Sequence, residues 1–338
     1  MKLLVLGGTR FLGRHLVEAA LARGHELTLY NRGRTAPELY PYVEKLHGDR
    51  DGDLAPLRGR SWDAVVDTCG YLPRVVRRSA EALSEAVGRY VFVSSISVYA
   101  ESSVAGQGEN APVARLRDPD CEDIPNHYGA LKAACEDEVV ARFAKRAIVL
   151  RPGLIVGPLD PTGRFTYWVQ RVGRGGAVLA PADPDYPVQF IDARDLAAWS
   201  VDLIEQGHSG TFNASGPAQP LTFGAFLEEC RRALGSTSSF AWPDAAFLSH
   251  HQVAAWTELP LYAGEDGRGL NEVSLGRALA AGLRLRPVGE TCVDTAHWAA
   301  RIPLPPGVGL DPAREAGLLL AWRQRAEAQS PQPGRFRG

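Results

Sequence analysis

Gly7-Gly8-Thr9-Arg10-Phe11-Leu12-Gly13 stands between the apolar run Lys2 to Leu6 and a stretch, Leu12 to Arg23, whose apolar residues recur at three- and four-residue spacing. The run reads as a strand and the stretch as an amphipathic helix. A glycine-rich turn joining the two lets the backbone bend tightly, brings its N–H groups against a pyrophosphate and seats the helix close to the sheet. The positive end of the helix dipole then faces the anion. Three glycines in a loop mean little by themselves. Their position after a first strand, opening a helix, makes this a dinucleotide cradle, with Gly7, Thr9, Arg10, Phe11, Leu12 and Gly13 as candidate cofactor contacts.

The pattern repeats downstream. Strands are expected at Glu26 to Tyr30, Ala64 to Thr68, Tyr90 to Ser94 and Ala147 to Arg151, and helices at Arg74 to Val87 and Tyr128 to Ala144. Strand, crossover helix and parallel strand in alternation make an α/β, doubly wound Rossmann sheet. Beyond Pro152 the chain is rich in proline and glycine, a poor environment for long regular elements. Two further strand–helix pairs, Val188 to Ile191 with Ala193 to Ile204 and Gly210 to Ala214 with Thr222 to Leu234, return toward the sheet. The expected organisation is a Rossmann core over 1–155 with 188–215 returning, a smaller discontinuous substrate domain from 156–187 and 216–328, and a disordered tail, 329–338.

Among 338 residues, 45% are hydrophobic and 22% charged, and the net charge is -2, which gives no bulk field toward nucleic acid or an anionic membrane. The five cysteines (Cys69, Cys121, Cys135, Cys230, Cys292) are dispersed and lack metal-type spacing, as expected of free thiols in a reducing compartment. No metal site is expected. The first apolar run is too short for an export signal and no stretch is long enough to span a membrane, so the expected location is the cytoplasm.

At the end of the second strand, where a carboxylate usually holds the ribose diol of NAD, stand Asn31, Arg32 and Arg34. A missing acid beside guanidinium groups suits a ribose phosphate, which favours NADP(H) over NAD(H), with Arg32 first and Arg10 or Arg34 as helpers. The bland alternative is a solvated basic face.

Val93-Ser94-Ser95-Ile96-Ser97-Val98-Tyr99 follows another strand, and Tyr128-Gly129-Ala130-Leu131-Lys132 opens the next long helix. Tyr128 and Lys132 are four apart and share a helix face, so an ammonium can stand beside the phenol and favour its ionised form, making Tyr128 a general acid/base. With the glycine turn, these segments resemble the short-chain dehydrogenase/reductase superfamily, extended or atypical type, which includes the nucleotide-sugar epimerases and dehydratases and isoflavone-reductase-like bacterial reductases. The resemblance implies Ser95, Tyr128 and Lys132 as the catalytic set, because the family's hydroxyl lies four residues before the Val-Tyr tyrosine, which selects Ser95 over Ser94. It also implies Asp49 at the adenine amine, unless it is a cap; the small-residue loop Thr68, Cys69 and Gly70 beneath the cofactor; and Pro152 on the nicotinamide side, beside Arg151, which is equally readable as structural. Ser97, a turn residue or a substrate contact, stands where dehydratases can carry an acid.

Gly153, Leu154 and Gln189 stand where nucleotide-sugar enzymes place an asparagine and an arginine, which favours hydride transfer with a small carbonyl or alcohol. A nucleotide-sugar epimerase or dehydratase is the alternative, and a non-catalytic RNA-binding or redox-sensing relative a further one; neutral charge speaks against RNA. Arg164, Tyr167 and Trp168 are candidate substrate contacts in a lid, or simply core. A homodimer is a family expectation.

Overall fold

Leu3, Leu4, Val5 and Leu6 are all 0–1% exposed, so β1 (Lys2–Leu6) is covered on both faces, as a central parallel strand must be. The computed structural model describes residues 1–329. After β1 the chain runs α1 (Phe11–Ala22), β2 (Glu26–Asn31), β3 (Glu44–His47), β4 (Trp62–Asp67), α2 (Pro73–Leu83), β5 (Val87–Val93), α3 (Ile124–Phe143), β6 (Ala147–Pro152), β7 (Leu154–Val156) and α4 (Arg164–Gly173). It continues through β8 (Ala177–Leu179), β9 (Phe190–Asp192), α5 (Ala193–Glu205), β10 (Gly210–Ala214), α6 (Phe223–Ala233), β11 (Ser239–Ala241), α7 (Ala245–His250), α8 (Gly276–Ala280), α9 (Val288–Ala299) and α10 (Pro312–Gln329).

Seven parallel strands form one sheet in the order β10-β6-β5-β4-β1-β2-β3. Strand order reverses between β1 and β4, the switch point at which a doubly wound sheet opens a crevice at its carboxyl edge. Alternate residues of β1 serve two cores. Leu3 and Val5 join Leu16, Val17 and Trp199 under α1 and α5, while Leu4 and Leu6 join Val76, Leu83, Val139 and Phe143 under α2 and α3. Edge strand β3 is partly exposed and carries Glu44 and Lys45, which is why its apolar signal is faint in the sequence.

The chain divides into two compact units. The first comprises Met1–Asp160, Gln189–Pro220 and Glu265–Pro287, and the second Pro161–Val188, Leu221–Gly264 and the residues from Val288 onward. Residues 265–287, which composition assigns to the smaller domain, group with the sheet. Ala278, Ala281 and Leu283 enter its core, the Trp199 indole donates to Ala281 O at 2.9 Å, and the Asn213 amide donates to Ser274 O at 3.0 Å.

In the second unit, the stretch read as loops contains α4, whose Phe165, Trp168, Val169 and Val172 recur at helical spacing on a buried face. The tail expectation begins at Gln329, the last residue of α10; residues 330–338 lie outside the described residues. Among the described residues no helix is long and apolar enough to cross a membrane.

Candidate active site

The glycine turn has the geometry an anion cradle needs. Gly7 and Gly8 hold φ of 110° and 89°, a region that favours glycine, and a methyl group at Gly13 would lie 3.0 Å from the Gly8 backbone. Helix α1 therefore touches the turn directly. It begins at Phe11 with no side-chain cap from Arg10 and no acidic residue in its first turn, so its positive end is uncompensated. Thr9 is half-buried and Leu12 buried under the turn. These features fit a dinucleotide diphosphate: the peptide N–H groups of the turn and of the first residues of α1 would hold it.

Asn31 acts on the backbone. Its amide donates to Gly7 O at 3.0 Å and accepts from the Gly33 N–H at 2.9 Å, bracing the cradle from the end of β2. Arg10, Arg32 and Arg34 are exposed and make no ion pair among the described residues. Asp49 is exposed and closes its own turn by accepting from the Asp51 N–H at 3.0 Å.

Beneath the turn, Thr68 donates its hydroxyl to Leu6 O at 2.9 Å, and a methyl at Gly7 would lie 2.7 Å from that hydroxyl. The next residues are pinned by a network that the sequence does not reveal. Fully buried Asp67 accepts from both terminal nitrogens of Arg50 (2.6 and 2.8 Å), from the Tyr90 hydroxyl (2.8 Å) and from the Cys69 N–H (3.1 Å). Burial alone pushes the Asp67 carboxyl up; the Arg50 guanidinium and these hydrogen bonds outweigh it and hold the group below the usual carboxylate range.

Lys132 is buried and donates to Gly70 O and Val93 O, both at 2.6 Å, with the Phe92 ring 4.2 Å from its nitrogen. An ammonium has three donors, so these carbonyls leave one more. Burial lowers its pKa to about 8, against the pull of Cys135, Asp67 and Glu136.

Ser95 is 9% exposed and caps a short turn, accepting from the Ser97 N–H at 3.1 Å and donating to the Ser97 hydroxyl at 3.0 Å. Its neighbour Ser94 points elsewhere and donates to Glu136 at 2.5 Å. Helix α3 bends at His127, so Tyr128, half-buried, opens its regular part. The following residue, Gly129, meets the serine turn: any β-carbon there would overlap the Ser97 carbonyl oxygen. That contact brings the Ser95–Ser97 turn to the helix turn carrying Tyr128, with Lys132 one turn further on.

Arg151 and Pro152 are both buried in the sheet. Arg151 is buried, paired with Glu136 at 2.7 Å, and donates to Glu109 O at 3.1 Å. Pro152 ends β6, buried against Ala214 of β10. In the second unit, the expectation of a lid is corrected for two aromatics. Trp168 and Tyr167 are 0% and 1% exposed, and the indole donates to Pro260 O at 2.6 Å, so these rings are core with no face left for a substrate. Arg171 is a strut to Glu315 at 2.6 Å, whereas Arg164 stands half-buried with its guanidinium 4.9 Å from the Trp256 ring.

Comparison with known proteins adds four findings. The NAD dependent epimerase/dehydratase family matches residues 61–215. The chain is similar to the chloroplast stem-loop binding protein of 41 kDa b of Arabidopsis thaliana, 26% identical over 257 residues, covering 69% of this chain and 63% of the plant protein. It is similar to 2-alkyl-3-oxoalkanoate reductase of Stenotrophomonas maltophilia (strain K279a), 28% identical over 187 residues, 47% of this chain and 52% of that one. It thus spans less than two thirds of either relative. In fold it resembles the crystal structure of human epimerase family protein SDR39U1 (isoform 2) with NADPH, at a TM-score of 0.61 and 21% identity, covering 88% of this chain and 99% of that one.

Proposed function

We propose that this chain, whose residues 61–215 match the NAD dependent epimerase/dehydratase family, is an NADP(H)-dependent oxidoreductase of the extended short-chain dehydrogenase/reductase type acting on a small carbonyl or alcohol, with Ser95, Tyr128 and Lys132 as its catalytic set. The observation that carries this reading is the contact of Gly129 with the Ser97 carbonyl, which brings the serine turn, the tyrosine and the lysine to neighbouring backbone positions.

When bound, the nicotinamide supplies or accepts the hydride. Tyr128 gives its phenolic proton to the carbonyl oxygen as the alcohol forms, and takes it back in the reverse direction. Ser95 holds that oxygen by a hydrogen bond and stabilises the charge developing on it. Lys132, fixed by Gly70 and Val93, favours the phenolate of Tyr128 by its charge and has a remaining N–H for a ribose hydroxyl.

NADP(H) is supported by the exposed Arg32, Arg34 and Arg10, which are unpaired among the described residues, and by the NADPH in the human relative's structure. A small carbonyl is supported by the bacterial reductase and by Gln189, whose amide is engaged both ways with the Val273 backbone (3.2 and 3.1 Å) and is not turned to a substrate phosphate. Nucleotide-sugar epimerisation or dehydration, the activity in the family's name, is the second reading.

The test follows NADPH oxidation by the purified protein over a panel of aliphatic and aromatic carbonyls, alongside conversion of UDP, dTDP and GDP sugars. Carbonyl-dependent oxidation that is lost in Tyr128→Phe supports the reductase. Conversion of a nucleotide sugar without net cofactor change overturns it in favour of the second reading.

A further inference from the structure

Tyr71 differs from three tyrosines of the same sheet unit. Tyr30, Tyr90 and Tyr99 are 0–4% exposed, whereas Tyr71 is 46% exposed. Isolated exposed aromatics are ordinary, so its placement must carry the argument. The backbone before it is fixed: Cys69 N–H is held by Asp67 and Gly70 O by Lys132. At Gly70 a methyl group would lie 2.6 Å from Phe92 and 2.8 Å from Val76, so the chain is pressed against the sheet and α2. Two residues after Tyr71, Pro73 starts α2. The half-exposed ring thus projects from a rigid support, the condition for a pre-organised contact.

Its neighbours define what it faces. The Lys132 nitrogen lies 5.4 Å from the ring centroid, and the charge of Arg10 is felt at the phenol, where it opposes the upward push of burial. One of these cations belongs to the glycine turn and the other to helix α3, which carries Tyr128.

We propose that Tyr71 is a cofactor contact, its ring covering the ribose that joins the diphosphate to the nicotinamide and its hydroxyl donating to a diphosphate oxygen. The inference rests on the cofactor reading above. It concerns a side chain outside the glycine turn and the Ser-Tyr-Lys set, and it gives the exposed ring an apolar surface to cover and a phosphate to bind.

The experiment is titration of the full-length protein with NADPH, by fluorescence or calorimetry, for wild type, Tyr71→Phe and Tyr71→Ala. Tyr71→Ala is expected to raise the NADPH Kd about tenfold and Tyr71→Phe less, because the ring remains. The melting midpoint without cofactor should stay near wild type in both, since the side chain is half in water. The ratio of variant to wild-type Kd should be the same below and above pH 8, where Lys132 changes charge. Affinities within twofold of wild type overturn the proposal. So does a ratio that collapses above pH 8, which would assign the effect to Lys132. A wild-type protein that binds neither NADPH nor NADH overturns the cofactor reading itself, an outcome separate from equal binding by all three proteins.

Discussion

The Lys132 ammonium donates to the carbonyl of Gly70 at 2.6 Å, so the helix carrying Tyr128 and the loop leaving β4 share one buried cation. Its pKa, lowered to about 8 by burial, lies below the ordinary lysine value, and both cofactor binding and stability respond. As pH rises through about 8 the charge is lost, and NADPH affinity is expected to fall; Lys132→Met should weaken binding about tenfold or more at neutral pH and flatten that profile, as isothermal titration would show. For stability the sign is opposite. Between about 8 and the unfolded value of ~10.4 the unfolded chain holds more protons, so the contribution of this residue to unfolding free energy rises with pH, and the wild-type minus Lys132→Met difference in urea midpoint should follow it.

Asp67→Asn is expected to cost about 3–5 kcal/mol, because it leaves the Arg50 guanidinium buried beside a neutral partner. In the wild type the Asp67 pKa is depressed, so its contribution is complete above the unfolded value of ~3.9 and is lost as pH falls through the lower folded value. Urea unfolding of both proteins at neutral and acid pH checks this: the gap between them should narrow only in acid.

Gly129→Ala places a methyl group on the Ser97 carbonyl oxygen, so the helix and the serine turn must separate. A displacement of about 1 Å between Ser95 and Tyr128 should lower kcat by about a hundredfold while NADPH binding changes little. Equal loss of binding and turnover would place the damage elsewhere.

Arg32→Ser removes a guanidinium that no carboxylate holds among the described residues. NADPH affinity should fall about tenfold or more with NADH affinity nearly unchanged, read by parallel titrations; an equal loss for both would mean Arg32 does not face the ribose phosphate.

The readable parts of this chain are those with a local signature. β1, the glycine turn and α1 follow from consecutive residues, whereas the bond from Ser94 to Glu136 joins residues 42 apart and has no local signature. The Asp67–Arg50–Tyr90 network carries no such signature, because its guanidinium and phenol, 17 and 23 residues from the carboxylate, meet it only once the strands are in place. The helix carrying Tyr167 and Trp168 is not legible because a Pro- and Gly-rich neighbourhood hides the helical spacing of the buried residues on α4. Asn31 reads as a substitute for an acid, while its service to the Gly7 carbonyl depends on how β1 and β2 register.

The recruitment of residues 265–287 into the first unit bears on how the protein is made. Emerging from the ribosome, the sheet strands are complete at Ala214, yet Trp199 and Asn213 still lack their acceptors on Ala281 and Ser274, some sixty to eighty residues away in sequence. The first unit cannot close its core in the order in which it is translated. It must remain partly open while much of the second unit is synthesised, and a nascent chain stalled after Pro220 would hold a sheet without its final seal.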